Sequence, residues 1–434
     1  MFFKVARSAG VIAFLAVGMT ACAGTNSGST TTSGSGAEGV PAFAKLPYVP
    51  PKTGCGSFTS PPLKDPDGAL PLLPPDVRPN YAGYNTYPNA PEKFMKSAWS
   101  SFKPSHGPPY KVAIDWGPIV SGFQATMTKE LKRLFEQNPL VGPGNVTVLT
   151  TGDSLDTGQQ LQQYRALLDQ KPDIVLIQTA GALAFLNPVK QAAKAGIPTI
   201  MVQSVLPSPY AIGVDSNGYL DAANATSYLL RANGGGGNAL QVIGFAGSAP
   251  DQTAALGWTT VARNCDTTIL KDSVYGGFNT SLAKSETLKY LATHPDKVDY
   301  VFETAAMTAG VIKAFQQTGR PVPKLLDSAP TAASAGYWRQ QPDSYHGAGW
   351  NLSPLAFSRA LVEIATRTLD GQGPKVNAII GRSPIITDAS IDEWAKPDWT
   401  IDTPGDAVGS SDQSFLPSDY LAQFFERPKD APTK

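Results

Sequence analysis

The sequence predicts an α/β protein of two lobes, each a parallel sheet covered by helices, behind a Pro-rich N-terminal extension. Three observations carry this. From residue 110 short β-type runs alternate with stretches whose apolar residues recur at helical spacing. The strand runs are apolar throughout, as in parallel sheets covered on both faces. The alternation passes through two rounds, each too small to be the whole of a 434-residue chain. Hydrophobic residues make up 42% of the chain, ample for two cores.

In the first round the strand candidates are 111–115, 146–150, 173–177 and 198–202. Between the first two, Phe123, Met127, Leu131, Leu134 and Phe135 fall on one helical face. Leu161, Tyr164 and Leu168 repeat the pattern in 158–169, and 187–195 form a shorter helix stopped by Gly196 and Pro198. In the second round the strands are 239–245, 267–274, 299–303 and 323–327, with helices near 217–231, 251–264, 280–293 and 306–318. A long helix at 353–370 carries Leu355, Leu361 and Ile364.

Ahead of this body lie three unlike segments. Lys4 and Arg7 precede a short apolar run, 9–18, too short to span a ~30 Å hydrocarbon core. It reads as a secretory signal, residues 1–21. Met19-Thr20-Ala21-Cys22 resembles a bacterial lipobox, with Met19 where that pattern prefers Leu. The resemblance implies lipidation of Cys22; the other reading is an ordinary cleaved signal with an incidental Cys. Residues 22–39 are rich in Gly, Ser and Thr and serve as a flexible tether. Residues 40–109 hold a dense set of Pro, which forbids long helices and central strands. Their many aromatics are unusual for a free linker. We expect an extended strap lying on the body, with a short helix near 91–101; the rival reading is a wall-crossing spacer. No later stretch reaches 18 consecutive apolar residues, so the expected location is the cell envelope, on the outer face of the cytoplasmic membrane.

Charge and ligand chemistry narrow the function. Lys+Arg and Asp+Glu each number 35, a zero net charge that argues against nucleic-acid partners. The three His (His106, His294, His346) and three Cys (Cys22, Cys55, Cys265) are too scattered for a zinc site. In an oxidising space Cys55 and Cys265 could pair as a disulfide, or stay as two buried thiols. There is no G-x-S-x-G elbow, P-loop or dinucleotide fingerprint. No cofactor, metal or catalytic residue is expected. His346, placed near the predicted hinge, is the one plausible base for a surface hydrolase.

The order and spacing of four stretches carry a family resemblance. They are KVAIDWGPIVSGFQATMTKEL from 111, KPDIVLIQTAGALAFLNPVKQAAKAGIPTIMV from 171, YAIGVDSNGYLDAANATSYLL from 210 and ATHPDKVDYVFETAAMTAGVIKAF from 292. Over residues 110–390 the sequence resembles the type I periplasmic-binding-protein family of the ribose-binding kind. That resemblance implies two Rossmann-like lobes joined by a three-strand hinge: 110–212 with 346–373, and 213–345 with 374–390, followed by a tail at 391–434. It implies a small-molecule ligand held in the cleft at the carboxyl ends of the strands. It also implies hinge closure and recognition by an ABC-transporter permease, with the protein a monomer. The rival is a ligand-sensing receptor lipoprotein on the same fold.

Residues just beyond the expected strand ends are the candidate ligand contacts: Trp116, Gln178, Thr179, Gln203, Ser204, Gln252, Phe278, Thr304, Asp327, Trp350 and Asn351. Apart from Asp327 they are aromatics and neutral hydrogen-bonders, suited to the apolar faces and hydroxyls of a sugar-like solute. The family's sugar binders clamp hydroxyls with charged groups, yet this chain has Gln203-Ser204, Gln252 and Thr304 at those places, and Ile119-Val120 where paired Phe is expected. Ribose is thus improbable, and the expected ligand is a modified sugar, a glycoside, or an aromatic or lipid-derived solute.

Overall fold

The computed structural model describes residues 54–84, 93–246, 248–405, 408–409 and 413–426. The signal, Cys22 and the tether fall outside them.

Lobe 1 is a parallel six-stranded sheet. Its strands are β1 (Val112–Trp116), β2 (Val146–Thr150), β3 (Ile174–Gln178), β4 (Thr199–Val202), β5 (Ala211–Ser216) and, late in the chain, β12 (Ala378–Gly381). Their spatial order is β12-β5-β4-β3-β1-β2. Helices α1 (Gly122–Gln137), α2 (Thr157–Asp169), α3 (Leu186–Lys194) and α9 (Pro354–Leu369) cover it. The period-2 alternation of β1 explains why both faces must be covered: Val112, Ile114 and Trp116 join one core with Met127, Leu131 and Phe135 of α1, while Ala113 joins Tyr164 and Leu167 of α2 on the other side. Local chemistry starts the helices where the pattern requires. Ser121 and Gln124 form a capping box on α1, and Asp156 accepts from the Gly158 and Gln159 N–H groups on α2.

Lobe 2 repeats the plan with β6 (Gly237–Ile243), β7 (Thr267–Ile269), β8 (Val274–Tyr275), β9 (Tyr300–Glu303), β10 (Lys324–Ser328), β11 (Gly347–Trp350) and an antiparallel edge, β13 (Ile385–Thr387). Its order is β13-β11-β10-β9-β6-β7, with β8 also paired to β6. Its helices are α4 (Gly218–Ala232), α5 (Ala249–Ala262), α6 (Thr280–Thr293), α7 (Thr308–Thr318) and α8 (Ala332–Gln340). The single strand expected at 267–274 is two short ones, broken where exposed Lys271 and Asp272 interrupt the apolar run.

The chain crosses between the lobes from β5 to α4, from β11 to α9 and from β12 to β13. This corrects the expected boundaries. Residues 347–350, assigned by sequence to lobe 1, pair with β10 in lobe 2, and 378–381, assigned to lobe 2, pair with β5 in lobe 1. The reason is steric: a Cβ at Gly349 would lie 2.0 Å from the Asp327 carbonyl oxygen, so this Gly-Ala-Gly run fits the close β10–β11 contact.

The described parts of the Pro-rich segment, 54–84 and 93–109, lie on the body as a strap. Cys55 is disulfide-bonded to Cys265 of lobe 2. Farther along, Leu73, Val77, Tyr81, Phe94 and Trp99 are buried in the lobe 1 core. The Tyr81 hydroxyl donates to the Ala378 carbonyl at 2.6 Å, and the Asn217 amide donates to the carbonyls of Asn80 and Ala82 at the first crossing. The helix expected near 91–101 does not form over its described part. Lys96 instead bridges Val376, Met95 N–H donates to Asn377 and Asn377 N–H donates back to the Met95 carbonyl. Pairing with the exposed edge of 375–377 replaces a local helix.

The expected tail is also packed. It contains α10 (Ile391–Trp394) and α11 (Ser418–Ala422). Trp394 and Val408 belong to the lobe 2 core, whereas Phe415, Leu416, Leu421, Phe424 and Phe425 belong to that of lobe 1. Strap and tail therefore add two further connections beside the three crossings. No helix among the described residues is long and apolar enough to cross a membrane.

Candidate functional site

All three crossings leave from carboxyl ends of strands, so the carboxyl edges of the two sheets face the junction between the lobes. Strands β5, β12, β11 and β13 lie at the hinge. Strands β2 in lobe 1, and β7 and β8 in lobe 2, lie at the edges farthest from it, and their loops form the mouth of the cleft. Ligands of open α/β sheets bind at this edge.

In the lobe 1 wall, Trp116, Gln178 and Val202 end three neighbouring strands in register. Trp116 packs wholly within the lobe 1 core, a correction to its expected place as an open ring in the cleft; its indole Nε1 has no hydrogen-bond partner. The Oε1 of Gln178 and the Oγ of Ser204 are likewise buried without partners. The Gln178 carbonyl accepts from Gly117 N–H at 2.7 Å and from Gln160 Nε2 at 2.6 Å. A Cβ at Gly117 would sit 2.8 Å from that carbonyl, so only glycine fits there. Thr179 turns its hydroxyl onto the Gly181 N–H at 3.1 Å. Asp115, one residue before the strand end, has its carboxyl pushed up to about 7 by burial, which the nearby Gln160 amide partly offsets.

In the lobe 2 wall two carboxylates tie the loops together. Asp251 accepts from the Gly244 and Phe245 N–H groups, each at 3.0 Å, and from the hydroxyls of Ser248 and Thr304. Glu303 accepts from Met307 N–H at 2.6 Å, from Ser328 N–H at 3.2 Å and from the Thr308 hydroxyl at 3.2 Å. Asp327, an expected ligand contact, is buried beside Glu303, its carboxyl pushed up to about 7 by burial, with Ser334 and Thr308 opposing. Burial, and then the charge of Asp327, hold Glu303 well above the usual carboxylate range. Half-buried Phe278 packs edge-to-face on Phe245, with ring centroids 5.3 Å apart.

Strand-end positions thus hold Gln178, Thr179, Gln203, Ser204, Phe278, Thr304 and Asp327 at the facing edges. The other expected contacts have different surroundings. Trp350 is in the lobe 2 core beneath α4 and α5. Asn351 is buried in the second crossing, its N–H bonded to the Pro384 carbonyl and its side-chain amide unpartnered. Gln252 is exposed on the first turn of α5, and its neighbour Asp251 takes the buried position. His346 precedes β11, at the edge of the sheet opposite the junction, where its Nδ1 lies 3.0 Å from Asp388. It is not at the hinge, where the sequence had placed it.

The residues that sequence reasoning missed are the internal carboxylates Asp115, Asp251 and Glu303. Two had a readable signal. Ser248-x-x-Asp251 is a capping-box spacing, and Glu303 is a lone charge ending an apolar run.

Two features mark these edges as built for recognition. Among the described residues seven non-glycine residues have positive φ, and five of them, Gln203, Phe278, Ala305, Ala306 and Ala329, follow strand ends at the junction. Each such conformation costs on the order of 1–3 kcal/mol and persists where its surroundings demand it. The second feature is neutrality. The segments that follow β1, β3, β4, β5, β6, β8, β9, β10 and β11 contain no charged residue before the next element. The exceptions among the outward-leading loops are Asp153 and Asp156 after β2, the latter capping α2, exposed Lys271 and Asp272 after β7, and Arg382 after β12, which lies in the field of Tyr420, Asp221 and Asp76. No group of three or more metal-ligating side chains occurs among the described residues. A shallow groove between α1 and α9, lined by Leu134, Asn138, Arg359 and Glu363, lies by the carboxyl end of α1, away from the junction.

Comparison with known proteins agrees with this architecture. A family model described as "Periplasmic binding protein domain" matches residues 119–372. An ABC transporter solute binding protein from Thermobispora bispora DSM 43833 is similar at 23% identity and a TM-score of 0.57, covering 65% of this chain and 87% of that one. An ABC sugar transporter subunit from Rhodobacter sphaeroides 2.4.1 gives 21% identity and a TM-score of 0.54, covering 64% and 98%. A periplasmic solute binding protein of an ABC transporter from Actinobacillus succinogenes 130z, with bound D-allose, gives 16% and 0.56, covering 65% and 99%. No curated protein matches the sequence.

Proposed function

The chain belongs to the periplasmic binding protein domain family, and on that premise we propose that it captures an uncharged, hydroxyl-bearing small solute between its lobes and delivers it to an importing membrane permease. The observation that carries this reading is the pair of facing strand edges, nearly all of whose loops are uncharged, with unpartnered polar atoms, Gln178 Oε1 and Ser204 Oγ, on one of them. A solute hydroxyl can satisfy such atoms without the desolvation cost that a buried charge incurs. With no cation in the strand-end loops apart from Arg382 at the hinge and exposed Lys271 at the outer edge, a carboxylate or phosphate ligand is disfavoured. The D-allose in the Actinobacillus protein is a solute of the favoured kind. In this reading the protein catalyses nothing; capture, closure and release are its work.

Export and anchoring belong to the same proposal. Lipidation at Cys22 is supported by the basic and apolar residues before it and the Gly/Ser/Thr-rich tether after it. A disulfide between Cys55 and Cys265 fits an oxidising compartment. A Cys22→Ser chain that incorporates labelled acyl groups as well as the parent would refute the anchor.

A thermal-shift screen over neutral sugars, polyols, nucleosides and aromatic acids tests the capture. A true ligand at a hundredfold excess over its Kd stabilises by about 2.7 kcal/mol. Ser204→Ala, which removes an unpartnered hydroxyl, leaves the unliganded melting temperature in place. It weakens the best neutral ligand roughly 2- to 10-fold. Stabilisation by anionic solutes alone, or an unaltered affinity in Ser204→Ala, runs against the reading.

A further inference from the structure

Among the described residues five large apolar side chains are strongly exposed: Leu72, Leu155, Leu183, Tyr275 and Leu282. Four of them lie in segments that follow strand ends at the junction. Leu155 is in the loop after β2, the edge strand at the mouth, and Leu183 is in the loop after β3. Tyr275 ends β8 and Leu282 is in the first turn of α6, on the mouth edge of lobe 2. They are about half exposed, Leu155 at 50% and Leu183 at 53%.

Each lip continues inward as apolar surface. In lobe 2, Leu282 adjoins Phe245 and Phe278. A Cβ at Gly277 would lie 2.9 Å from Leu282 and 3.7 Å from Phe245, and one at Gly244 would meet the Phe278 ring at 2.1 Å. The two glycines let the rings and the leucine close into one patch. In lobe 1, β1 stands between β2 and β3, so half-buried Ile119 and Val120 in its loop fill the row between Leu155 and Leu183. The inner strand ends offer amides and hydroxyls; the lips offer hydrocarbon and aromatic faces. Isolated exposed apolar residues are ordinary, but apolar residues at the lips of both lobes, beside a polar cleft, are not.

We propose that the solute is amphipathic: an uncharged hydroxylated head held at the strand ends, and an alkyl or aryl group held between the lips, as in a glycoside of an apolar alcohol. This rests on the capture reading above and names its ligand class. The occupant is a small solute and not a macromolecule because the apolar surface is continuous with the cleft and divided between its two sides, so closure brings both halves onto one tail. Burial of each additional methylene then adds affinity.

The test is calorimetric titration of the full-length mature chain with methyl, hexyl and phenyl glycosides of glucose, galactose and mannose, with hexyl sulfate as the anionic control, all below their micellar concentrations. For a head group that binds, the hexyl and phenyl forms bind at least 10-fold more tightly than the methyl form, and hexyl sulfate does not bind. In a Leu155→Ser/Leu282→Ser variant, altered only at exposed side chains, that advantage falls to less than threefold while the methyl glycoside keeps its affinity. Equal binding of methyl and hexyl forms, or an advantage untouched by the double substitution, overturns the amphipathic ligand while leaving solute capture intact. In that case the lips serve a macromolecular partner. If no glycoside binds and only the sulfate does, both readings fall together.

Discussion

Breaking the disulfide between Cys55 and Cys265 lowers the melting temperature sharply and loosens the strap from lobe 2. The bond closes a loop of 210 residues between the start of the strap and the end of α5. Cross-linking residues so far apart removes much freedom from the unfolded chain, and loss of a native bridge typically costs about 2–5 kcal/mol. Folded-state contacts around it retain part of the attachment. The Ser227 hydroxyl donates to the Gly56 carbonyl at 2.6 Å and the Asn264 amide to the Ser57 carbonyl at 2.7 Å. A Cys55→Ser/Cys265→Ser chain should therefore fold, melt well below the parent, and no longer respond to reductant. An unchanged melting temperature would mean that the strap is held by its aromatic contacts alone. The strap is pinned at one end to lobe 2 and buried at the other in lobe 1, so the same variant should open more readily at the hinge. Faster amide exchange in 55–60 would report this.

Stability should fall as pH rises from about 5 to 7.5, the reverse of ordinary acid denaturation. Burial pushes the carboxyls of Asp115, Asp215, Asp221 and Asp327 up to about 7 in the folded chain. The nearby Gln160 amide opposes this at Asp115, the Ser216 N–H and the charge of Lys93 at Asp215, and the Ser383 hydroxyl at Asp221. Unfolded, each returns to its ordinary value near 3.8. Between those values the folded state binds more protons, so stability is greatest near the lower end and declines until pH passes the folded value. At ~1.4 kcal/mol per unit for each group, the summed change is a few kcal/mol or more. Glu130 and Asp299, whose carboxyls are lowered, lose their contribution only below the usual carboxylate range, outside this window. Asp215 and Asp221 flank the first crossing, and Asp221 accepts from Ser383 at the third, at 2.7 Å. Asp221→Asn should flatten part of the slope. A melting temperature that is level or rises from pH 5 to 7.5 would sink this account.

Much of the fold was legible because its signals are local. The apolar run 146–150 and the stripe Phe123, Met127, Leu131, Phe135 need nothing beyond periodicity to be read as strand and helix, and both are where they were expected. The candidate site was legible in part. Strand ends are readable, so Gln178, Gln203, Phe278 and Thr304 were found as strand-end residues. Which way a side chain turns there is set by packing, and the burial of Trp116 and Trp350 in the lobe cores is decided by neighbours distant in the chain.

By itself the sequence determined the two-lobed α/β class, the strap and the uncharged character of the strand-end loops, since composition and periodicity are properties of neighbours along the chain. Tertiary structure alone decided the partnership of Cys55 with Cys265 and the exchange of 347–350 and 378–381 between lobes. Each is a contact between residues far apart in the chain. Such contacts depend on which sheet edge is free to accept a strand and which surface lies within reach, and no local pattern encodes either.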